Sequence, residues 1–241
     1  MDGVVLHDNT LIPGADVFLK RIVKNEIDFR FITNYPSQTP ADLHNRLASA
    51  GVDIPVKHFF TSAMATAAFL SKQEGRKAFV IGEGALTHEL YNIGFSITDI
   101  DPDIVVVGET KSYNWQMIHK AAVFIKAGAR FIATNPDVAG PGGSPACGAL
   151  CAPIERITGK QPFYIGKPNA FMLRAALNSM NAHTENTLII GDNMSTDILA
   201  GVQAGMETVL VLTGFSKMKD LDRFPFRPNY IFNSLQDVNI V

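Results

Sequence analysis

The sequence predicts an α/β protein built on a mostly parallel sheet. Short β-branched runs recur along the chain, each followed by a polar or glycine turn and then by a helical period, as in consecutive βα units. With 241 residues, at ~100–200 per domain, the chain holds one large domain or two modest ones. Hydrophobic side chains make up 46% of it, enough to fill a core.

The strand runs are 29–32, 78–81, 104–107, 130–133, 163–165, 188–190 and 208–212. Between them the spacing predicts helices. One opens at Asn114-Trp115, with Trp115, Ile118, Ala122 and Ile125 on one face and Gly128 as its C-terminal cap. Another runs from Asn169 with Met172, Leu173, Ala176, Leu177 and Met180 inward. A third starts near Thr196-Asp197, carries Ile198, Leu199 and Val202, and stops at Gly205. Segment 138–145, with Gly140, Gly142, Gly143 and two prolines, reads as a mobile or binding loop. A faint internal echo pairs Ile81-Gly82-Glu83 with Val107-Gly108-Glu109.

Charge and composition narrow the function classes. The chain carries 21 basic and 23 acidic residues without a Lys/Arg block, so neither a nucleic-acid polymer nor a membrane surface is expected as partner. No apolar run approaches the ~18 residues of a membrane span. Met1-Asp2-Gly3 lacks the basic start of a secretory signal, and a cytoplasmic protein is expected. Cys147 and Cys151 alone make no disulfide framework, and the scattered histidines supply no zinc spacing.

In open α/β sheets ligands bind beyond the carboxyl ends of the strands, so the polar residues at those ends are the candidates. They are Thr33-Asn34, Lys167, and Asp192-Asn193 with Asp197 five residues beyond Asp192; Asp2-Gly3 joins them if a strand precedes it. Carboxylates, a lysine, a hydroxyl and an amide suit Mg²⁺ with a phosphate: the ion takes one or two carboxylates plus phosphate oxygens, and the other donors neutralise remaining charge. Each residue also has a plainer role. Thr33-Asn34 before Pro36 reads as an ordinary turn, Lys167 before Pro168 as a surface lysine, and Asp197 as a helix cap.

Taken in order, Asp2-Gly3-Val4, Ile12-Pro13-Gly14-Ala15, Thr33-Asn34, Gly166-Lys167-Pro168 and Gly191-Asp192-Asn193-x-x-Thr196-Asp197 resemble the haloacid dehalogenase superfamily of phosphatases with a C2-type cap. The stretches from Thr33 to Thr39 and from Pro145 to Cys151 look closer still to its NagD-type nucleotide phosphatases. The resemblance spans essentially the whole chain. It implies a doubly wound, Rossmann-like core from 1–76 and 163–241, with an inserted αβ cap over 77–162. It also implies hydrolysis of small phosphorylated metabolites, nucleoside monophosphates such as UMP above all, through an aspartyl-phosphate. Carried over, Asp2 is the acid/base and lends a carbonyl to Mg²⁺, while Asp192 is the carboxylate ligand with Asp197 supporting. Thr33, Asn34, Lys167 and the turn Asn193, Met194, Ser195, Thr196 bind the phosphoryl group or orient its binders. Asn135, Asp137 and Cys147, in or beside the glycine-rich cap loop, are the expected specificity residues. Association of identical chains is left open.

One motif departs from the family. The pattern Asp-x-Asp-Gly-Val is represented by x-Asp-Gly-Val with Met1 in the middle position, so the nucleophilic Asp and the strand leading to it are absent from the sequence. As written, the chain is expected to be inactive through that site. The favoured explanation is a start placed downstream of the true one; the alternative is a truncated, non-catalytic phosphate-ligand binder. A phospho-acceptor receiver domain is set aside because it needs only about half this length.

Overall fold

All seven strand runs are strands, displaced by two residues at most, in the computed structural model, which describes residues 1–239. In chain order the elements are β1 (Leu6–His7), β2 (Thr10–Leu11), α1 (Ala15–Lys24), β3 (Phe31–Thr33), α2 (Pro40–Ser49) and β4 (Phe59–Thr61). Next come α3 (Ser62–Leu70), β5 (Lys77–Ile81), α4 (Gly84–Asn92), β6 (Ser96–Ile97), β7 (Ile104–Val107), α5 (Trp115–Ala127), β8 (Arg130–Ala133), α6 (Cys147–Thr158) and β9 (Phe163–Tyr164). The chain ends with α7 (Ala170–Met180), β10 (Leu188–Gly191), α8 (Leu199–Ala204), β11 (Glu207–Val211) and β12 (Tyr230–Phe232).

These elements form two units. The first comprises Met1–Ile32, Pro40–Phe60 and Lys167–Val241, and the second Thr33–Thr39 and Thr61–Gly166. Where the motif layout puts 1–76 in one body, Thr33–Thr39 and α3 here pack with the second unit.

In the first unit β10, β11 and β12 form a parallel sheet with Gly191 opposite Leu210. Val5, Leu6, Phe18, Leu19, Leu43, Leu47, Phe59, Val209 and Val211 build its main core. The β1–β2 hairpin is antiparallel.

The second unit is a five-stranded parallel sheet, ordered β6-β5-β7-β8-β9. Its central strand, Ile104-Val-Val-Val107, is buried throughout, as a strand covered on both faces must be. Ile81, Val107, Ala133 and Tyr164 lie in register, so the residues that come after β5, β7 and β8 emerge along one edge.

Two helix faces differ from the sequence reading. Asn114 caps α5 by accepting from Met117 N, and Gly128 closes it at φ 117°, but Trp115 is 72% exposed and stacks on His119. The inward residues are Ala121, Ala122 and Ile125, because the apolar stripe starts one turn later than the aromatic suggested. The third helix begins earlier, with a π-helical turn Met194–Ile198 leading into α8; Ile198, Ala200, Gly201 and Ala204 point inward and Val202 outward. No helix among the described residues is long and apolar enough to cross a membrane.

Candidate functional site

In the first unit the site grows from the end of β10. Gly191 is required there, because a Cβ would overlap the side chain of Asp197. Asn193 caps the following turn, its Oδ1 accepting from Ser195 N at 2.9 Å. The turn brings Asp197 back under the strand end, where Oδ2 accepts from Asn193 N at 3.2 Å and Oδ1 from Lys167 Nζ at 2.6 Å. Lys167, next to a cis Lys167–Pro168 bond, also donates to the Ile32 carbonyl at 3.3 Å. Lys167 and Asp197 are both buried, which overturns the surface-lysine and helix-cap roles.

Asp192 sits among backbones. Its Oδ2 accepts from Phe215 N at 2.8 Å and its carbonyl from Ser216 N at 2.9 Å. Ser216 is buried and its Oγ accepts from Met194 N at 2.9 Å, locking the two segments together. Gly3, at φ 74°, and Gly214 press against the Asp192 carboxylate so closely that a Cβ on either would overlap it. Thr213 Oγ1 donates to the Gly3 carbonyl at 2.6 Å. Burial, then the charge of Asp197, pushes the Asp192 carboxyl above the usual carboxylate range. A cation would relieve that penalty. Among the described residues no group of three or more His, Cys, Asp or Glu is arranged to hold a metal. The donor set nonetheless fits Mg²⁺, which needs only one or two carboxylates with backbone, water and phosphate oxygens, and the glycine cradle leaves the Asp192 face uncovered by side chains.

Asp2 is placed differently from its expected task. Its two carboxylate oxygens take Arg46 Nη1 at 3.0 Å and Nη2 at 2.5 Å, and Arg46 also binds Asn9 Oδ1 and the Asp8 carbonyl.

Thr33 and Asn34 belong to the second unit. Thr33 Oγ1 accepts from Tyr35 N at 3.2 Å, the turn geometry that a Thr before Asn and Pro favours. Asn34 Nδ2 donates to Asp137 Oδ2 at 2.9 Å, while the Asn34 carbonyl accepts from Asn135 Nδ2 at 2.8 Å and Ser62 Oγ at 2.5 Å. Asn135 and Cys147 are fully buried, the thiol of Cys147 meeting the Val107 carbonyl at 3.2 Å. As placed, they reach a ligand only through their neighbours. Loop 138–145 is pinned at its base, with Gly140 N donating to the Ser144 carbonyl at 2.8 Å and Ala139 bridged to Pro145.

Sequence reasoning passed over Arg46, Ser62, Glu109, Thr213 and Ser216. The strand-end rule, applied to β11 as it was to β10, finds Thr213 and Ser216. The same rule applied to β7 reaches Glu109, two residues past Val107, where the echo also falls. Ser62 directly follows β4, which is not among the strand runs read from the sequence, and Arg46 lies within α2, where no strand-end signal exists.

Family models agree with these motifs. A "Haloacid dehalogenase-like hydrolase" model matches residues 1–96 and a "HAD-hydrolase-like" model residues 164–238. The ribonucleotide monophosphatase NagD of Escherichia coli K12 is 60% identical over 241 residues, covering 100% of this chain and 96% of its own; its solved structure superposes with a TM-score of 0.98. A dihydroxyacetone phosphatase of Corynebacterium glutamicum is 47% identical, covering 99% of this chain and 88% of its own. A glycerol phosphate phosphatase of Mycobacterium tuberculosis, solved in complex with magnesium, is 28% identical at a TM-score of 0.92, covering 98% and 73%.

Proposed function

We propose, for a chain that belongs to the haloacid dehalogenase superfamily and within it to the NagD-type phosphatases, a Mg²⁺-dependent hydrolysis of small phosphate monoesters, nucleoside monophosphates first among them. The observation that carries the reading is the end of β10, where Asp192 lies in a glycine cradle beside the buried Lys167–Asp197 pair.

Each residue has a task set by its surroundings. Asp192, with the Asp2 carbonyl, would hold Mg²⁺, and the ion would offset phosphate charge. Asp197 fixes Lys167, whose ammonium faces the phosphoryl oxygens and stabilises charge on them with no reorganisation at the moment of reaction. The turn Asn193, Met194, Ser195, Thr196 binds or orients that group, and Thr33 and Asn34 are phosphoryl-binding residues of the second unit. Asp2 gives a proton to the leaving oxygen and later takes one from water; to do so its carboxylate turns away from Arg46. In an aspartyl-phosphate route a carboxylate bonds to phosphorus as the ester oxygen departs with the proton from Asp2, and water then cleaves the acyl phosphate. Asp137, part-exposed in the second unit, is the acid that would set substrate preference. The two free, buried cysteines suit a cytoplasmic enzyme.

The test is phosphate release from UMP and p-nitrophenyl phosphate, with and without Mg²⁺. Turnover that requires Mg²⁺ and is lost in Asp192→Asn is expected. No release across a broad panel of phosphate monoesters would overturn the reading.

A further inference from the structure

Glu109 lies outside the phosphatase motifs, yet it ties several segments of the second unit together. It comes after β7 on the edge where the parallel strands end in register. Its Oε1 accepts from Asn135 Nδ2 at 3.5 Å, from the segment after β8. The backbone N–H of Cys147, the first residue of α6, faces its carboxylate and favours the charged form, and the N-cap Ala146 offers no side-chain acceptor. Its carbonyl takes Ser37 Oγ at 3.4 Å, from the segment Thr33–Thr39.

Through Asn135 the link reaches Asn34. The amide nitrogen of Asn135 that meets Glu109 lies 2.8 Å from the Asn34 carbonyl and 3.3 Å from Thr134 Oγ1. The Oδ1 of Asn135 accepts from Asp137 N at 3.1 Å, and Asp137 in turn accepts from the Asn34 side chain. Two hydrogens on one buried nitrogen thus have three acceptors in reach. Glu109, the farthest of the three at 3.5 Å, is the one whose acceptor strength changes with protonation.

We propose that Glu109 is a positioning residue, which through Asn135 sets the backbone and side chain of Asn34 and so the readiness of that loop for a phosphoryl group. The proposal deepens the phosphatase reading and rests on it. An ionised Glu109 is a strong acceptor for Asn135 and complements the α6 N-terminus; a protonated one is weaker at both. Facing Glu109 are Asn135 and Asp137 from the segment after β8, Cys147 from α6 and Ser37; of these Asp137 carries charge and the Cys147 thiol is the other titratable group. Burial, opposed by the Asn135 hydrogen bond and aided by the Asp137 charge, pushes the Glu109 carboxyl up to about 7. The link therefore strengthens as pH rises through neutrality.

The experiment tracks the amide resonances of Asn34 and Tyr35 in ¹⁵N-labelled protein from about pH 5.5 to 8.5, in wild type and Glu109→Gln. An inflection near neutrality in the wild type that vanishes in Glu109→Gln is expected; a flat wild type, or identical curves in both proteins, would overturn the proposal. Should Glu109→Gln not fold, Asn135→Ser cuts the same link at its other end, and persistence of the inflection there overturns it equally. In kinetics with p-nitrophenyl phosphate, the wild-type KM should rise about threefold or more relative to Glu109→Gln as pH falls through neutrality, with kcat tracing the same profile in both. Equal KM profiles count against it. Because the resonances are read without turnover, a failure of phosphate release condemns the proposed function while the titration curves still decide the role of Glu109.

Discussion

Lys167 Nζ lies 2.6 Å from Asp197 Oδ1, and the two side chains keep only 11% and 9% of their exposure. A buried ion pair is worth little net, but removing one partner strands the other charge. Lys167→Met should therefore cost about 3–5 kcal/mol in urea unfolding, and Lys167→Met combined with Asp197→Leu much less than the sum of the single changes. A pair of additive losses would show that the two side chains do not act as a unit.

Gly214 carries no backbone strain, yet an added methyl would meet the Asp192 carboxylate. Gly214→Ala should raise the Mg²⁺ concentration needed for half-maximal phosphate release by about tenfold, because Asp192 must shift from the cradle by a fraction of an ångström or more. A Mg²⁺ titration of activity checks this; an unchanged midpoint would remove Asp192 from the metal site.

Arg46 and Asp2 are 22% and 53% exposed, so solvent screens their pairing. Arg46→Ala should cost about 1 kcal/mol or less, and less at high salt than at low. Chemical unfolding at two ionic strengths measures it. The same variant frees the Asp2 carboxylate and should leave kcat equal or higher if Asp2 has to leave Arg46 to transfer its proton.

Glu109 makes stability depend on pH in the direction opposite to a salt-bridged carboxylate. Its folded value of about 7 stands above the ordinary 4.5, so between these values the folded state holds a proton that the unfolded state has released. Stability then falls as pH rises across that window, and the penalty is complete above about 7. Glu109→Gln should be more stable than wild type at alkaline pH by on the order of 1–2 kcal/mol, after allowance for partial exposure, and equal to it below the ordinary carboxylate value. Thermal unfolding across pH provides the measurement.

Strands and the motif at the end of β10 were legible because each is local. A run such as Ile104-Val-Val-Val107 declares itself by composition, and Gly191-Asp192-Asn193 by its place at the end of a strand. The features that escaped depend on contacts between residues far apart in sequence. The Asp2–Arg46 pair joins a turn to a helix 44 residues on, and Glu109 meets Asn135 across 26. Trp115 was misread for a related reason: periodicity shows that a helix has an apolar stripe, while the neighbours decide which end of the stripe is covered. Asp197 looked like a cap because the helix start was placed at its own position instead of at Met194.

The heptapeptide Thr33–Thr39 is separated in sequence from the rest of its unit, which resumes at Thr61. Chimeras with a relative must respect that division. Exchanging 77–162 alone would pair a foreign Asn135 and Glu109 with the resident Asn34, Ser37 and Ser62, splitting one hydrogen-bonded set between two parents. A graft of the second unit has to carry Thr33–Thr39 together with Thr61–Gly166, so that donor and acceptor arrive from the same ancestor.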